Sequence, residues 1–326
     1  MQRAFELIRE RAAQLLEDGT CSRLLAWKKG EFIHDPSPAV FGSDLTDLVY
    51  NCFCGSNLSK YLIAESFREG KVLVLIKPCD SFSLNQLIKE HRVNRDNIHV
   101  LGVECRGMLD MDKIRAAGVK GIESVEDRGE EILVHTLYGD KALPRTDVLL
   151  EKCASCKSKT HAAYDELITT GDPMPEAPAN RFDGVARLEA MTAQERYDFW
   201  RGEFSRCIRC NACRNVCPAC SCIRCVFDND ASGVAAKANA DSFEENMFHI
   251  IRAFHVAGRC TDCGECSRVC PQHIPLHLLN RKFIKDINEL YGEYQAGADT
   301  DSRGPLTDFT FDDAEPGIVH ERGGGL

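Results

Sequence analysis

Cys207-Ile208-Arg209-Cys210-Asn211-Ala212-Cys213-Arg214-Asn215-Val216-Cys217-Pro218 spaces four cysteines by two, two and three residues and closes on proline. The same spacing returns at Cys260, Cys263, Cys266 and Cys270-Pro271. Three cysteines two residues apart wrap a tight loop that points thiolates and backbone N–H groups inward, at one 4Fe–4S cube. The three-residue gap and the proline then turn the chain away, so that the fourth thiolate serves the neighbouring cube. One centre is expected to take Cys207, Cys210, Cys213 and Cys270, and the other Cys260, Cys263, Cys266 and Cys217. Structural zinc sites instead pair two C-x2-C knuckles, which this spacing does not fit.

This is the run of bacterial two-cluster ferredoxins, here inside a chain of 326 residues, long enough for two domains. The chain holds eighteen cysteines. A secreted disulfide scaffold would be short and carry a signal sequence, and the start Met1-Gln2-Arg3-Ala4-Phe5-Glu6 has no such stretch. In a reducing compartment thiols in this number serve as metal ligands, so a cytoplasmic protein is expected. The net charge of −10 argues against nucleic acid or an anionic membrane surface as partner. No apolar run reaches the roughly 18 residues of a membrane span.

Between the repeats stand Cys220, Cys222 and Cys225, and far upstream Cys52 and Cys54. Together these five could hold a further cube, or some could be buried apolar thiols; the sequence leaves both open. Arg206, Arg209, Arg214, Arg259 and Arg268 crowd the loops. Cations there would raise the potential of an anionic cube, unless they are ordinary solvated side chains. His249 and His255 bracket Arg252 at helical spacing, a pattern commoner for surface or core residues than for ligands.

The amino-terminal half reads as α/β. Residues 2–18 form an amphipathic helix, and residues 24–33 a short hairpin turning at Lys28-Lys29-Gly30. Val72–Ile76 and Ile98–Val103 read as strands flanking a helix through Leu84, Leu87 and Ile88, a parallel βαβ unit. Residues 131–135 and 147–150 are expected as further strands. Cys79 and Cys105 follow the first two strands directly, and Cys153 and Cys156 follow the last. Ligands of α/β sheets gather at such carboxyl ends, so these four thiols are expected to hold a cube. A thioredoxin-like redox pair at Cys153-x2-Cys156, or unligated thiols, are the competing readings. The domains are expected as 1–170 (α/β), 171–184 (a proline-rich linker), 185–296 (a mostly α, two-cluster ferredoxin-like unit with helices over 185–204 and 276–291) and 297–326. That last segment, a polar tail with the island Phe309-Thr310-Phe311, is expected to fray or to lie along a partner.

Lys77-Pro78-Cys79-Asp80, Gly102-Val103-Glu104-Cys105 and Cys153-Ala154-Ser155-Cys156 with Asp165-Glu166 resemble the iron-sulfur domain of the beta subunits of deazaflavin-dependent hydrogenases and formate dehydrogenases. The carboxyl half, with Cys217-Pro218-Ala219-Cys220-Ser221-Cys222, is similar to dicluster subunits of sulfhydrogenases and anaerobic sulfite reductases. It also resembles formate dehydrogenase beta subunits used with heterodisulfide-reductase-like complexes. The resemblance spans roughly residues 70–295. It implies an anaerobic electron-transfer subunit that passes single electrons between the other subunits of a hydrogenase, formate dehydrogenase or heterodisulfide-reductase-like complex. The alternative is a catalytic beta subunit that binds flavin and reduces a deazaflavin or nicotinamide. Flavin-bearing relatives are longer in the amino half, and a G-x-G-x-x-G phosphate loop is missing here, which counts against FAD. A cluster-containing sensor is a third class, disfavoured by the number of clusters and by the lack of a basic recognition helix. No acid–base or nucleophile constellation is found, so no catalytic residue is expected.

Overall fold

The structure, a computed structural model, describes residues 1–172, 174–229 and 242–307. Nine strands precede the cysteine loops: β1 (Arg23–Lys28), β2 (Ser37–Phe41), β3 (Leu48–Val49), β4 (Val72–Ile76), β5 (Ile98–Val103), β6 (Ile122–Asp127), β7 (Glu131–Thr136), β8 (Lys141–Pro144) and β9 (Glu166–Ile168). The main sheet runs β2-β1-β4-β5-β9, with β3 also on β1. β1, β4, β5 and β9 are mutually parallel, and β2 and β3 are antiparallel additions at one edge.

All five residues of β4 are fully buried, so both faces of the sheet are covered. Ile8, Ala12 and Leu15 of the helix Gln2–Glu17 and Leu84 and Leu87 of the helix Pro78–Lys89 share one core with Leu73, Leu75, Val100 and Leu101. The strand–helix–strand unit read from the sequence is therefore present, with β4 and β5 in register from Val72↔Ile98 to Ile76↔Gly102.

Two local expectations need correction, and a third, the strand at 131–135, holds but in a sheet of its own. The hairpin partner of β1 is Ser37–Phe41, not residues 31–33. Phe32 and Asp35 close a turn on each other, the Phe32 N–H donating to Asp35 Oδ1 at 2.9 Å, so pairing resumes only beyond Pro36. Residues 131–136 are a strand of a separate antiparallel sheet, β6-β7-β8. Their alternation, with Ile132 and Val134 buried, suits a sheet covered on one face. Residues 147–150 are not a strand. A single 3-10 turn spans Arg145–Val148, and the neighbouring backbone pairs with residues 108–110: the Asp110 N–H donates to the Val148 carbonyl at 2.7 Å, the Leu150 N–H to that of Met108 at 2.8 Å.

The carboxyl half is helical: Asp183–Glu189, Ala193–Phe204, Ser242–His255 and Leu276–Tyr291, with short helices Ala212–Asn215 and Glu265–Arg268 inside the cysteine loops. The stretch expected as one helix over 185–204 is broken in two. Thr192 and Glu195 form a reciprocal capping box that starts the second piece. Helix Leu276–Tyr291 buries Leu276, Ile284 and Ile287 as well as the polar Asn280 and Arg281, while Leu290 is exposed. The linker ends firmly: Arg181 is buried and donates from Nε to Asp262 Oδ2 at 2.7 Å. The island Phe309-Thr310-Phe311 lies outside the described residues.

Candidate iron-sulfur centres

The sequence repeat is also a backbone repeat. Arg209 and Asp262, each one residue before the second cysteine of its loop, have φ of 53° and 60°. Asn211 and Gly264, each one residue after it, have φ of 60° and 66°. Left-handed residues at matched places curl each loop so that successive N–H groups face inward, the kind of concavity that receives an anion. The Arg209 N–H, for one, donates to Cys207 Sγ at 3.4 Å.

The thiols gather in crossed sets. Burial pushes the Cys213 thiol up to about 11, and the charges of Cys207, Cys270 and Cys210 add to this. Burial likewise raises Cys260, Cys263 and Cys266, the last to about 12, and Cys217 bears on all three. Cys270 thus bears on Cys213 of the first loop, and Cys217 on the three thiols of the second loop as well as on Cys220, its hydrogen-bond partner. Among the described residues no three His, Cys, Asp or Glu side chains close in around a single ion position.

Cys213, Cys260, Cys263 and Cys266, held above their usual value, would stay protonated on their own, whereas the hydrogen bond with Cys220 pushes Cys217 down to about 6; a metal cluster displaces such protons and turns the same burial into ligation. The residues thus fit 4Fe–4S centres. An ordinary packed core would not use four adjacent thiols to fill each gap.

The amino-terminal thiols also converge. Cys79 opens the helix after β4, Cys105 follows β5 by two residues, and Cys153 lies on the short helix Glu151–Ala154. Burial pushes Cys105 to about 11, with Cys153 and Cys156 adding, and burial with Asp80 and Cys156 among its neighbours holds Cys79 well above its usual value. The Met108 N–H donates to Cys153 Sγ at 3.4 Å. A buried ion pair, Lys77 Nζ to Asp80 Oδ2 at 2.9 Å, brackets Cys79 and fixes the turn, and Lys77 also donates to the Ser56 carbonyl. Cys153 is delivered by a turn rather than by the strand the sequence suggested.

Cys52 and Cys54 do not join Cys220, Cys222 and Cys225. Cys52 sits in a core with Phe53, Ile114 and Ile132, and Cys54 in the main core beside Leu58, donating towards the Val49 carbonyl. Cys220, Cys222 and Cys225 instead line a cavity of about 350 Å³ with Lys60, Arg214, Arg252, His255 and Arg259. The Lys60 ammonium donates to the Cys220 carbonyl.

Of the arginines singled out in the sequence, Arg206 pairs with Glu203, Arg214 with Asp228, Arg259 with Glu90 and Arg268 with Glu265. Arg209 lies over the Phe248 ring, 4.3 Å from its centroid. His249 stacks on Phe204 and brings Nε2 to 3.3 Å from Cys207 Sγ, and it is pushed down to about 3 by burial, then by Arg252 and Arg209. His249 therefore packs the first loop as a neutral ring.

Sequence reasoning missed how the halves meet. Lys152, next to Cys153, reaches Glu265, next to Cys266, with Nζ–Oε1 at 2.5 Å. The Asn57 N–H and the Arg268 guanidinium complete the shell of that carboxylate, which Lys152 and Arg268 hold well below its usual range against the effect of burial. Arg281 bridges Ser155, at 2.7 Å, and Asp262, at 2.8 Å. Ser83 meets Thr261, hydroxyl to hydroxyl, at 2.9 Å. Residues interleaved with the amino-terminal thiols thus bond to residues interleaved with the second loop's thiols. No local pattern announces partners more than 100 positions apart; only the polar residues between the cysteines gave a hint.

Among the described residues no helix is long and apolar enough to cross a membrane. Residues 203–274 match the family model of a 4Fe-4S dicluster domain. The chain is similar to an F420-dependent formate dehydrogenase subunit beta of Methanocaldococcus jannaschii, 23% identical and covering 87% of this chain and 89% of the relative. It is also similar to an F420-dependent formate dehydrogenase 1 subunit beta of Methanococcus maripaludis, 26% identical and covering 88% and 89%. A solved F420-reducing NiFe hydrogenase complex from Methanosarcina barkeri overlaps with a TM-score of 0.39 and 15% identity, over 55% of this chain and 70% of that one. The chain is thus similar over nearly its whole length to F420-dependent formate dehydrogenase beta subunits, and its residues 203–274 match a 4Fe–4S dicluster domain.

Proposed function

We propose that this chain is the electron-transfer subunit of a cytoplasmic, multi-subunit oxidoreductase and moves single electrons along a row of 4Fe–4S centres. Cys79, Cys105, Cys153 and Cys156 hold the amino-terminal centre; Cys217, Cys260, Cys263 and Cys266 the middle one; Cys207, Cys210, Cys213 and Cys270 the outer one. The observation that carries this reading is the Lys152–Glu265 and Ser155–Arg281–Asp262 seam, which seats the first two thiol sets against each other. Each cube, when bound, accepts and returns one electron; the chain's part is to hold the cubes, exclude water and set their potentials.

The outer end is open. Cys210 and Ile208 are exposed, Ile208 by 62%, which gives the first loop a face for another redox subunit, such as that of a formate dehydrogenase, hydrogenase or heterodisulfide-reductase-like complex. A further cube on Cys220, Cys222 and Cys225 would sit in the cation-lined cavity beside Cys217, whose positive walls suit an anionic cluster. Full-length protein, prepared anaerobically, tests the assignments by iron analysis and electron paramagnetic resonance. C79S and C222S should each lose about four irons and leave the dicluster signals. Full iron in C79S removes the amino-terminal centre from the row, and full iron in C222S makes that trio plain thiols.

A second reading has one observation in its favour. A cavity of about 290 Å³ opens beside Cys153 and is lined by the cations Arg106, Arg145 and Lys159 together with Glu130 and Glu176, a mixed wall whose cations could face an anionic cofactor. Its volume is at the lower limit of ligand sites. If the chain is instead a flavin-bearing catalytic subunit acting on a deazaflavin or nicotinamide, acid treatment releases a fluorescent supernatant; the electron-transfer reading requires a dark one.

A further inference from the structure

Arg252 is a buried charge without a hydrogen-bond partner among the described residues. It lies on the helix Ser242–His255, is 1% exposed, and none of its three guanidinium nitrogens has a hydrogen-bond partner among the described residues. Phe248, Ala253 and Val256 of the same segment are equally buried, and Arg252 lines the wall of the cavity that holds Cys220. An uncompensated buried cation costs several kcal/mol, so such a residue implies a countercharge at the site. Arg214, Arg259 and Arg268 pair with carboxylates; the groups bearing on Arg252 are the thiols of Cys266, Cys213, Cys217 and Cys220. Cys213 belongs to the outer set and Cys217 and Cys266 to the middle one.

We propose that Arg252 is a positioning residue shared by the two dicluster centres, donating N–H groups to sulfurs of both and raising both reduction potentials. This rests on the ligand sets proposed above. A guanidinium carries five donors in a fixed fork, enough to serve two anionic neighbours at once. Each electron taken up makes a cube more negative, so a fixed cation between the two favours their reduced forms. No bond is made or broken; one electron enters a centre from its upstream neighbour and leaves to the next.

Redox titration followed by electron paramagnetic resonance, on full-length anaerobic holoprotein, tests this with R252Q and R252K. In R252Q both dicluster centres should be about tenfold harder to reduce at a fixed potential, a downward shift of about 59 mV for one electron. The amino-terminal centre, whose thiols do not bear on Arg252, should titrate as in the wild type. R252K keeps the charge and loses the fork, and should recover part of the shift. Wild-type potentials at both centres in iron-replete R252Q overturn the proposal, and a shift at one centre alone overturns the sharing. If R252Q fails to retain its clusters, R252K decides: a smaller downward shift at both centres supports the clamp, and unchanged potentials overturn it. Iron analysis of C217S and C270S separates this from the ligand assignment. Unchanged iron and signals in those two variants would break the ligand sets themselves, whatever Arg252 does.

Discussion

Before its third cysteine the first loop carries Ala212 and the second carries Glu265; before its second cysteine the first carries Arg209 and the second Asp262. The two loops share their left-handed positions and their short helices, so the difference lies in what they touch. Both carboxylates of the second loop are buried and paired, Glu265 with Lys152 and Arg268, Asp262 with Arg181 and Arg281. The first loop has no carboxylate and leaves Ile208 and Cys210 exposed. One spacing of cysteines thus makes an inner centre or a surface centre, according to the residues between the ligands. In an electron-transfer chain those are different duties: the inner centre relays between domains, and the surface centre meets a partner.

The sharpest way to break this comparison is to substitute matched positions. In E265Q, Lys152 keeps its charge in a buried site and loses its counterion, which costs about 3–5 kcal/mol. In A212Q the new side chain lies on a loop without such a partner, and the change should stay within about 0.5 kcal/mol. Urea unfolding of the anaerobic holoproteins measures both. Equal losses would show that the second loop is not the structural seam.

The cysteine pattern was legible because its constraint is local: spacing fixes which thiols one loop can aim inward, and Pro218 and Pro271 mark where the chain leaves. The same holds for Val72–Ile76 and Ile98–Val103, whose apolar runs suit only a strand covered on both faces. Val148-Leu149-Leu150 is equally apolar but too short for periodicity to separate a strand from a buried turn, and the sequence reading failed there. β9 was missed for the same reason, being three residues long. Lys152–Glu265 and Arg252 were illegible for another reason. A charged residue on a helix reads as solvated unless its partner is known, and these partners are either distant in sequence or thiols.

A smaller effect separates the matched left-handed residues. Gly264 is hemmed in: a Cβ added there would stand 2.4 Å from Lys152 Cβ. G264A therefore adds overlap with the seam to the strain of a left-handed side chain, about 1–3 kcal/mol together. Asn already tolerates this conformation at 211, and N211G should be neutral or stabilising, by less than about 1 kcal/mol. Thermal unfolding of both variants checks the order. A G264A variant as stable as N211G would mean that the second loop is not pressed against the amino-terminal domain.

The smallest expected difference is in pH response, and it places one histidine behind each loop. His277 is buried, with Nδ1 2.8 Å from Ser267 Oγ, and that oxygen already accepts the His277 backbone N–H at 2.9 Å. Ring and backbone of His277 are thus both tied to the Ser267 hydroxyl. Burial, then the cation of Arg281, push His277 down to about 4. The unfolded chain takes up this proton near pH 6.5, the folded one only near 4, so between these values the unfolded state binds more protons. The stabilisation from the neutral ring is complete above about pH 6.5 and is lost as pH falls towards 4, by at most about 1.4 kcal/mol per pH unit. His249, behind the first loop and pushed to about 3, adds a similar slope over the same acidic range. H277Q keeps an acceptor for Ser267 without a titrating ring and should remove about half of the combined slope. Urea midpoints of the anaerobic holoprotein at pH 7.0, 6.5, 6.0 and 5.5 measure it; an unchanged slope in H277Q would place the whole pH response behind the first loop.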